Sequence, residues 1–279
     1  MKGSFFTPLD QAKNFFKESV MYDQEGIYVS WLTDPKVINR ILPPPMVPVA
    51  PIITAYIINI QKPTFCSRYN EAACAIPCVC NGVSGVYWIS FMLSGPGKEM
   101  GTFGGREVAG IPKKLADEII VKRSGNYATG TLIRHGIKLF EVEMDICGHY
   151  NNVACANVYG DVQPGDEVLL DGFFYKFDVN KGGDGIVRFE DANIIDCAFA
   201  TKYRTFEKGT AKVTLGDSYE DPWSELEVIE VLGAGWSKND IDLAWSKVIG
   251  TVEADKIIPY LMSARFDKGT MNMGEVVFQ

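Results

Sequence analysis

Histidine is nearly missing from this chain: there are two in 279 residues, His135 and His149. Neither has ligand-like spacing to other candidate ligands, and no Cys-x-x-Cys pair occurs, so a zinc or iron centre is not expected. No apolar stretch is long enough to span a bilayer. The longest, around Val47 to Ile60, is interrupted by Pro48, Pro51, Thr54 and Asn59. The first residues contain no continuous apolar segment of the signal-peptide kind. No Lys/Arg-rich run or basic stripe appears. With a formal net charge of −8, this argues against nucleic acid and anionic membranes as partners. P-loop, nucleophile-elbow and dinucleotide-binding motifs are also absent. A cytoplasmic protein with no metal or cofactor is expected.

What is present is an ordinary globular composition, 47% hydrophobic and 22% charged, enough to bury a sizeable core without disulfides. The seven cysteines are odd in number and are expected as reduced thiols. The group Cys66, Cys74, Cys78 and Cys80 resembles a ligand set at first glance, but free cysteines of this kind are mostly buried structural residues.

Residues 9–20 suit a short amphipathic helix behind Thr7 and Pro8. Residues 25–32 alternate as a strand. Asp34 caps a helix that begins at Pro35 and ends before the triple proline 43–45. From Pro51 onward the pattern is mainly β, with strands at 52–60, 75–80, 85–93, 117–123, 127–134, 137–146, 186–202 and 210–215. In 137–146, Leu139, Phe140, Val142, Met144 and Ile146 include a period-two set facing one way, with Glu141, Glu143 and Asp145 facing the other, the signature of a half-solvated antiparallel strand. Helical character returns at 240–248 and 253–261. Segments 160–165 and 180–185 read as turns, and Gly101 to Gly105 as a flexible loop. Trp236 and Tyr260 are read as core aromatics. No repeat, linker or βαβ alternation divides the chain. The expectation is a mainly β (α+β) single domain over 1–279: an antiparallel β-barrel or strongly bent sheet with a few flanking helices.

The most informative segment is Gly104-Gly105-Arg106-Glu107-Val108-Ala109-Gly110-Ile111-Pro112-Lys113-Lys114-Leu115-Ala116. Pro112 is pre-set for the first turn of a helix, which would place Lys113 and Lys114 at the positive end of its dipole. The dipole, an adjacent ammonium and an apolar wall would each lower a lysine pKa. An unprotonated amine is what imine formation with a ketone requires. Adjacent lysines are otherwise usually solvated surface charges, and the dipeptide alone favours that bland alternative.

The run from Gly105 to Leu115 resembles the active-site segment of acetoacetate decarboxylase. Tyr69-Asn70-Glu71, Ala75-Ile76-Pro77 and Asn81-Gly82-Val83 resemble that family's preceding hairpin. Asp221-Pro222-Trp223-Ser224-Glu225-Leu226 with Val231-Leu232-Gly233-Ala234 resembles its C-terminal segment. The order and spacing fit nearly the whole chain. The resemblance implies a carbon–carbon lyase, a carboxy-lyase, that decarboxylates a β-keto acid such as acetoacetate through an iminium on Lys113. Lys114 would lower the pKa of Lys113 without touching substrate. Glu71 would transfer a proton or order the imine. A homo-oligomer and a small keto-acid substrate are also implied.

The match has gaps. Gln24 stands where the family carries an arginine, and Tyr56 where it carries a second glutamate. Tyr56 then reads either as a general acid or as a residue packed on a strand. Arg106 and Glu107 match the pattern and read mainly as an ion pair or loop clamp near the pocket. An imine without those charged partners also suits an aldolase-dehydratase acting on pyruvate-like carbonyls. A binding relative without chemistry is the third possibility.

Overall fold

Period-two alternation dominates the computed structural model, which describes residues 4–15 and 17–268. In chain order the elements are α1 (Leu9–Phe15), β1 (Val20–Leu32), α2 (Pro35–Ile41), β2 (Val47–Pro48), β3 (Ile52–Pro63), β4 (Tyr69–Cys80) and β5 (Val83–Ser94). Then come α3 (Lys98–Ala109), β6 (Lys113–Leu115), β7 (Glu118–Ser124), β8 (Tyr127–Arg134) and β9 (Ile137–Ile146). The remainder is α4 (Ala156–Tyr159), β10 (Glu167–Lys181), β11 (Val187–Leu215), β12 (Glu230–Thr251) and α5 (Ala254–Arg265).

All twelve strands belong to one sheet, ordered β10-β5-β4-β3-β1-β12-β11-β9-β8-β7, with β2 added to β4 and β6 to β5. β10 also pairs with β11, so the sheet curls back towards its own edge. It is strongly bent and not a clean barrel. Most pairings are antiparallel; β10–β5 and β5–β6 are parallel.

The bend gives the sheet two distinct faces, each with its own core. On β3, Ile57 joins the core built around Trp31, Phe140 and Ile27, while its neighbours Tyr56 and Ile58 face Trp88, Phe91 and Phe174. Across the ladder, Tyr28 stands opposite Tyr56 and Ile27 opposite Ile57. Trp236 and Tyr260 belong to the first core. The helix after Asp34 forms as the sequence indicates: the Asp34 carboxylate accepts from Lys36 N at 2.8 Å and caps it.

Four expectations are corrected. The first helix ends at Phe15, and β1 already begins at Val20. Residues 240–248 are strand. Their Ile241-Asp242-Leu243 alternation suits β12, and pairing with both β1 and β11 decides the matter. The two segments 186–202 and 210–215 form one 29-residue strand, β11, and the unforeseen β10 pairs with its first half. Gly101, Gly104 and Gly105 lie inside α3, where their missing side chains admit close neighbours.

One packing contact between strands offers a quantitative check. A Cβ on Gly130 of β8 would lie 2.4 Å from Ile57 Cγ2 and 2.9 Å from Val142 Cγ1. Overpacking by Gly130→Ala is expected to cost about 1–3 kcal/mol, and the cavity left by Ile57→Ala about 2–5 kcal/mol. Because the new methyl fills the space vacated by Ile57, the double variant should lose clearly less than the sum of the two. Urea unfolding of the four proteins measures this; strict additivity would show that the two sites do not share that space.

Candidate active site

Lys113 reaches the site by a short, tightly hydrogen-bonded path. α3 stops at Gly110, whose φ of 69° is left-handed. Ile111 N donates to Gly105 O at 3.2 Å, and Phe91 N donates to Pro112 O at 3.1 Å. The next three residues then pair in parallel with β5, Phe91 opposite Lys113 and Met92 opposite Lys114. Pro112 therefore opens a strand, and the helix lies before it. The expected helix dipole at Lys113 is overturned, because the exposed edge of β5 takes up residues 113–115 as an added strand.

In a strand, successive side chains point to opposite faces. Lys113 enters the concave face, where Nζ donates to Glu71 Oε2 at 3.0 Å. The two side chains are 8% and 5% exposed. The Tyr56 hydroxyl donates to the other oxygen, Glu71 Oε1, at 2.6 Å. The Phe91 and Tyr69 rings lie 5.6 and 6.0 Å from Nζ. Gly105 gives the lysine stem its room: a Cβ there would come within 3.0 Å of Lys113 Cε.

Lys114 points the other way. Its Nζ meets Asp221 Oδ1 at 2.9 Å, Asp267 Oδ1 at 3.2 Å and the Glu220 carbonyl at 3.1 Å. Arg134 completes this network through Asp221 and through both oxygens of Asp267 at 2.8 Å. The cation that the resemblance places beside Lys113 is thus held by two aspartates on the far face. His135 brings a ring nitrogen close to Asp221 and Asp267, but Lys114 and Arg134 already supply the positive charge there.

The concave face lines a cavity of about 890 Å³. Lys113, Glu71, Tyr56 and Gln24 occupy its buried end, and Val49, Val108, Val168 and Leu170 its exposed rim. Among the described residues lining it, Lys113 and Glu71 are the only charged ones. Gln24 is buried; its Nε2 lies 3.5 Å from Met21 O and its Oε1 has no partner among the described residues. Arg106 and Glu107 do not line the cavity. Arg106 donates to the Arg265 carbonyl at 3.3 Å and packs over Phe266, and Glu107 is exposed. The expected ion pair between them is absent among the described residues, although Arg106 does clamp two helices together.

Burial, and then the Glu71 carboxylate, hold the Tyr56 hydroxyl well above the usual tyrosine range. The same two causes act on Tyr69. Both phenols stay protonated near neutrality, so Tyr56 remains a donor. Burial pushes the Cys66 thiol up to about 11 against the pull of Lys113, which removes it as a competing nucleophile. Tyr69, Phe91, Gly105 and Asp221 were not assigned roles from the sequence. Tyr69 and Asp221 lie within the motifs quoted above, whereas nothing local marks Phe91.

Burial would raise the Asp267 carboxyl, but hydrogen bonds from Arg134 and Lys114 outweigh it and hold it at about 2. A carboxyl depressed by folding stabilises the native state above its unfolded pKa of about 4 and loses that contribution as pH falls towards 2. Asp267→Asn should therefore flatten the fall in urea midpoint between about pH 5 and pH 2.5. An unchanged slope would remove Asp267 from the acid response.

A model of the family described as acetoacetate decarboxylase (ADC) matches residues 5–251. The chain is 34% identical over 272 residues to the CLA biosynthesis isomerase of Lactiplantibacillus plantarum, covering 96% of each. It is 28% identical over 134 residues to the acetoacetate decarboxylase of Burkholderia vietnamiensis, spanning 44% of this chain and 52% of that one. The crystal structure of acetoacetate decarboxylase from Legionella pneumophila superposes with a TM-score of 0.72 at 20% identity, covering 90% of this chain and 99% of that one. The enduracididine biosynthesis enzyme MppR complexed with pyruvate shares the fold with a TM-score of 0.59 at 14% identity, covering 90% and 94%. By the extent of the family match and the length of the alignments, this chain belongs to the acetoacetate decarboxylase family.

Proposed function

We propose that this protein is a lysine-dependent isomerase that forms an imine between Lys113 and the ketone of a long, mainly apolar substrate. One observation carries the reading: a buried Lys113–Glu71 pair at the end of a cavity of about 890 Å³ that is otherwise uncharged among the described residues. That volume is far beyond the needs of a four-carbon acid and lies in the upper range of small-molecule sites. The likeness to a protein named an isomerase supports the same class of reaction.

Glu71 takes a proton from Lys113, and the freed amine adds to the substrate carbonyl. Glu71 returns that proton to the departing hydroxyl, so that the adduct loses water and leaves an iminium beside the Glu71 carboxylate. The iminium acidifies the adjacent carbon. Glu71 removes a proton there, and the electron pair moves into an enamine. When the substrate carries a double bond one carbon further along, the electrons extend over it. Returning the proton at the far carbon shifts the double bond into conjugation with the iminium. Water then releases the ketone and regenerates Lys113. Nothing is oxidised or reduced, and the proton taken is the proton returned. Tyr56, held on Glu71 at 2.6 Å, keeps the carboxylate in one orientation and its other oxygen directed at Lys113.

Decarboxylation of a β-keto acid is the second reading, favoured by family membership. It uses the same iminium but asks the site to accept a carboxylate. Gln24 stands where the resemblance expects an arginine, and no cation besides Lys113 lines the cavity among the described residues. An aldol or dehydration step on a pyruvate-like substrate would face the same lack.

Borohydride treatment with a medium-chain ketone should add the ketone's mass less its oxygen, which leaves as water, to wild-type protein and none to Lys113→Ala. Glu71→Gln should still bind ketone while turnover falls about 10²–10⁴-fold. A Lys113→Ala protein that is labelled as strongly as wild type ends the imine reading. Carbon dioxide release from a β-keto acid, with no double-bond shift in an unsaturated ketone, would favour the second reading. The cavity makes a separate prediction. Across straight-chain ketones, affinity should rise with each methylene by about 0.8 kcal/mol, close to fourfold. An affinity independent of length would leave the cavity without a role in binding.

A further inference from the structure

The C-terminal helix α5 lies beyond residues 5–251, the span matched by the family model, and it does not line the cavity. Its last residues nevertheless meet the lysine-bearing turn on both sides. The Arg265 guanidinium is buried at 9% exposure and donates through Nη2 to the carbonyls of Gly110 and Tyr175. It also lies over the Phe177 ring at 5.0 Å. Among the described residues no carboxylate pairs with it, and its guanidinium hydrogen bonds there go to those two carbonyls. Gly110 is the left-handed residue that ends α3, and a Cβ there would sit 2.4 Å from the Tyr175 carbonyl oxygen. Arg265 thus joins the turn three residues before Lys113 to strand β10.

Two residues after Arg265, Asp267 receives Lys114 Nζ at 3.2 Å and Arg134 at 2.8 Å. Lys114 is the residue immediately after the nucleophile. Between these two contacts, Phe266 lies under the Arg106 guanidinium at 5.2 Å, and the Arg265 carbonyl accepts from Arg106 at 3.3 Å. One three-residue stretch therefore grips the backbone before Lys113 and the side chain after it. A buried charge left without its partners is costly, which gives the arrangement little freedom to relax.

We infer that Arg265 and Asp267 are positioning residues that clasp the Gly110–Lys114 turn and hold the Lys113 amine in line with Glu71 at the buried end of the cavity. The inference rests on the reading of Lys113 as the nucleophile. Small displacements of a reacting group cost large factors in rate without comparable loss of binding, so the clasp acts on imine formation and spares substrate affinity.

The full-length variants Arg265→Met, Arg265→Lys and Asp267→Asn test it. Three readouts are compared: the rate of borohydride trapping of a medium-chain ketone, the affinity for the corresponding alkane, which has no carbonyl, and amide exchange at residues 110–115. For Arg265→Met the expectation is at least a tenfold slower trapping rate, alkane affinity within twofold, and faster exchange in the turn. Arg265→Lys should recover part of the rate, since an ammonium reaches one of the two carbonyls. Asp267→Asn should show a smaller loss of the same pattern. If Arg265→Met fails to fold, Arg265→Lys and Asp267→Asn decide in its place. Folded variants that trap and exchange like wild type overturn the clasp, as does a parallel loss of alkane binding and trapping. If wild type does not trap ketones at all, the reading of Lys113 fails, while amide exchange still decides whether the turn is clasped.

Discussion

A lysine and a glutamate 3.0 Å apart, both almost fully buried in an apolar wall, set the terms for everything around them. Removing two such groups from water is expensive, and their attraction repays it only with good geometry and further hydrogen bonds. The surroundings meet that condition. Tyr56 takes the second oxygen of Glu71, Phe91 and Tyr69 turn their rings to the Lys113 amine, and Gly105 leaves space for the lysine stem. In such a site, interactions with a developing charge are far stronger than in water. The same pairing that makes the lysine tolerable inside the protein places an acceptor beside its amine.

Strand alternation divides the labour between the two adjacent lysines. On the near side Lys113 meets one carboxylate and apolar walls. On the far side Lys114 meets Asp221, Asp267 and, through them, Arg134. A helix would have placed the two side chains about a quarter-turn apart on one end; the three-residue strand β6 sends them to opposite faces of the sheet. The far network ties the lysine strand to β8, to the segment around Asp221 and to the residues following α5. A rigid backing of this kind is what a pre-organised site requires.

The curled sheet explains the size of the cavity. Eight strands contribute to its wall among the described residues, and the covering elements touch it only at intervals. The concave face therefore keeps a long apolar trough leading from an exposed rim to the buried pair. The chemistry of an iminium is common to several reaction types. Among the described residues lining the trough no cation besides Lys113 is present to hold a small acid, which supports the proposed reading of a long apolar ketone over a short keto acid.

The residues themselves announced much of this. Alternation and turn residues located most of the strands, Asp34 marked its helix, and the motifs around Glu71, Lys113 and Asp221 pointed to one family. Those are local signals: spacing, capping and side-chain period are written along the chain. The sequence did not reveal that 240–248 is strand, that Gly101 to Gly105 is helical, or that Lys114 turns its back on Lys113. Each depends on what the segment packs against, namely two flanking strands for β12, the Lys113 stem for α3, and the free edge of β5 for β6. Local chemistry by itself determined which lysines, which glutamate and which fold class were in play. Only the tertiary structure decided which lysine meets the glutamate and how much apolar space lies before them, because the facing of a side chain and the volume of a cavity belong to the whole sheet.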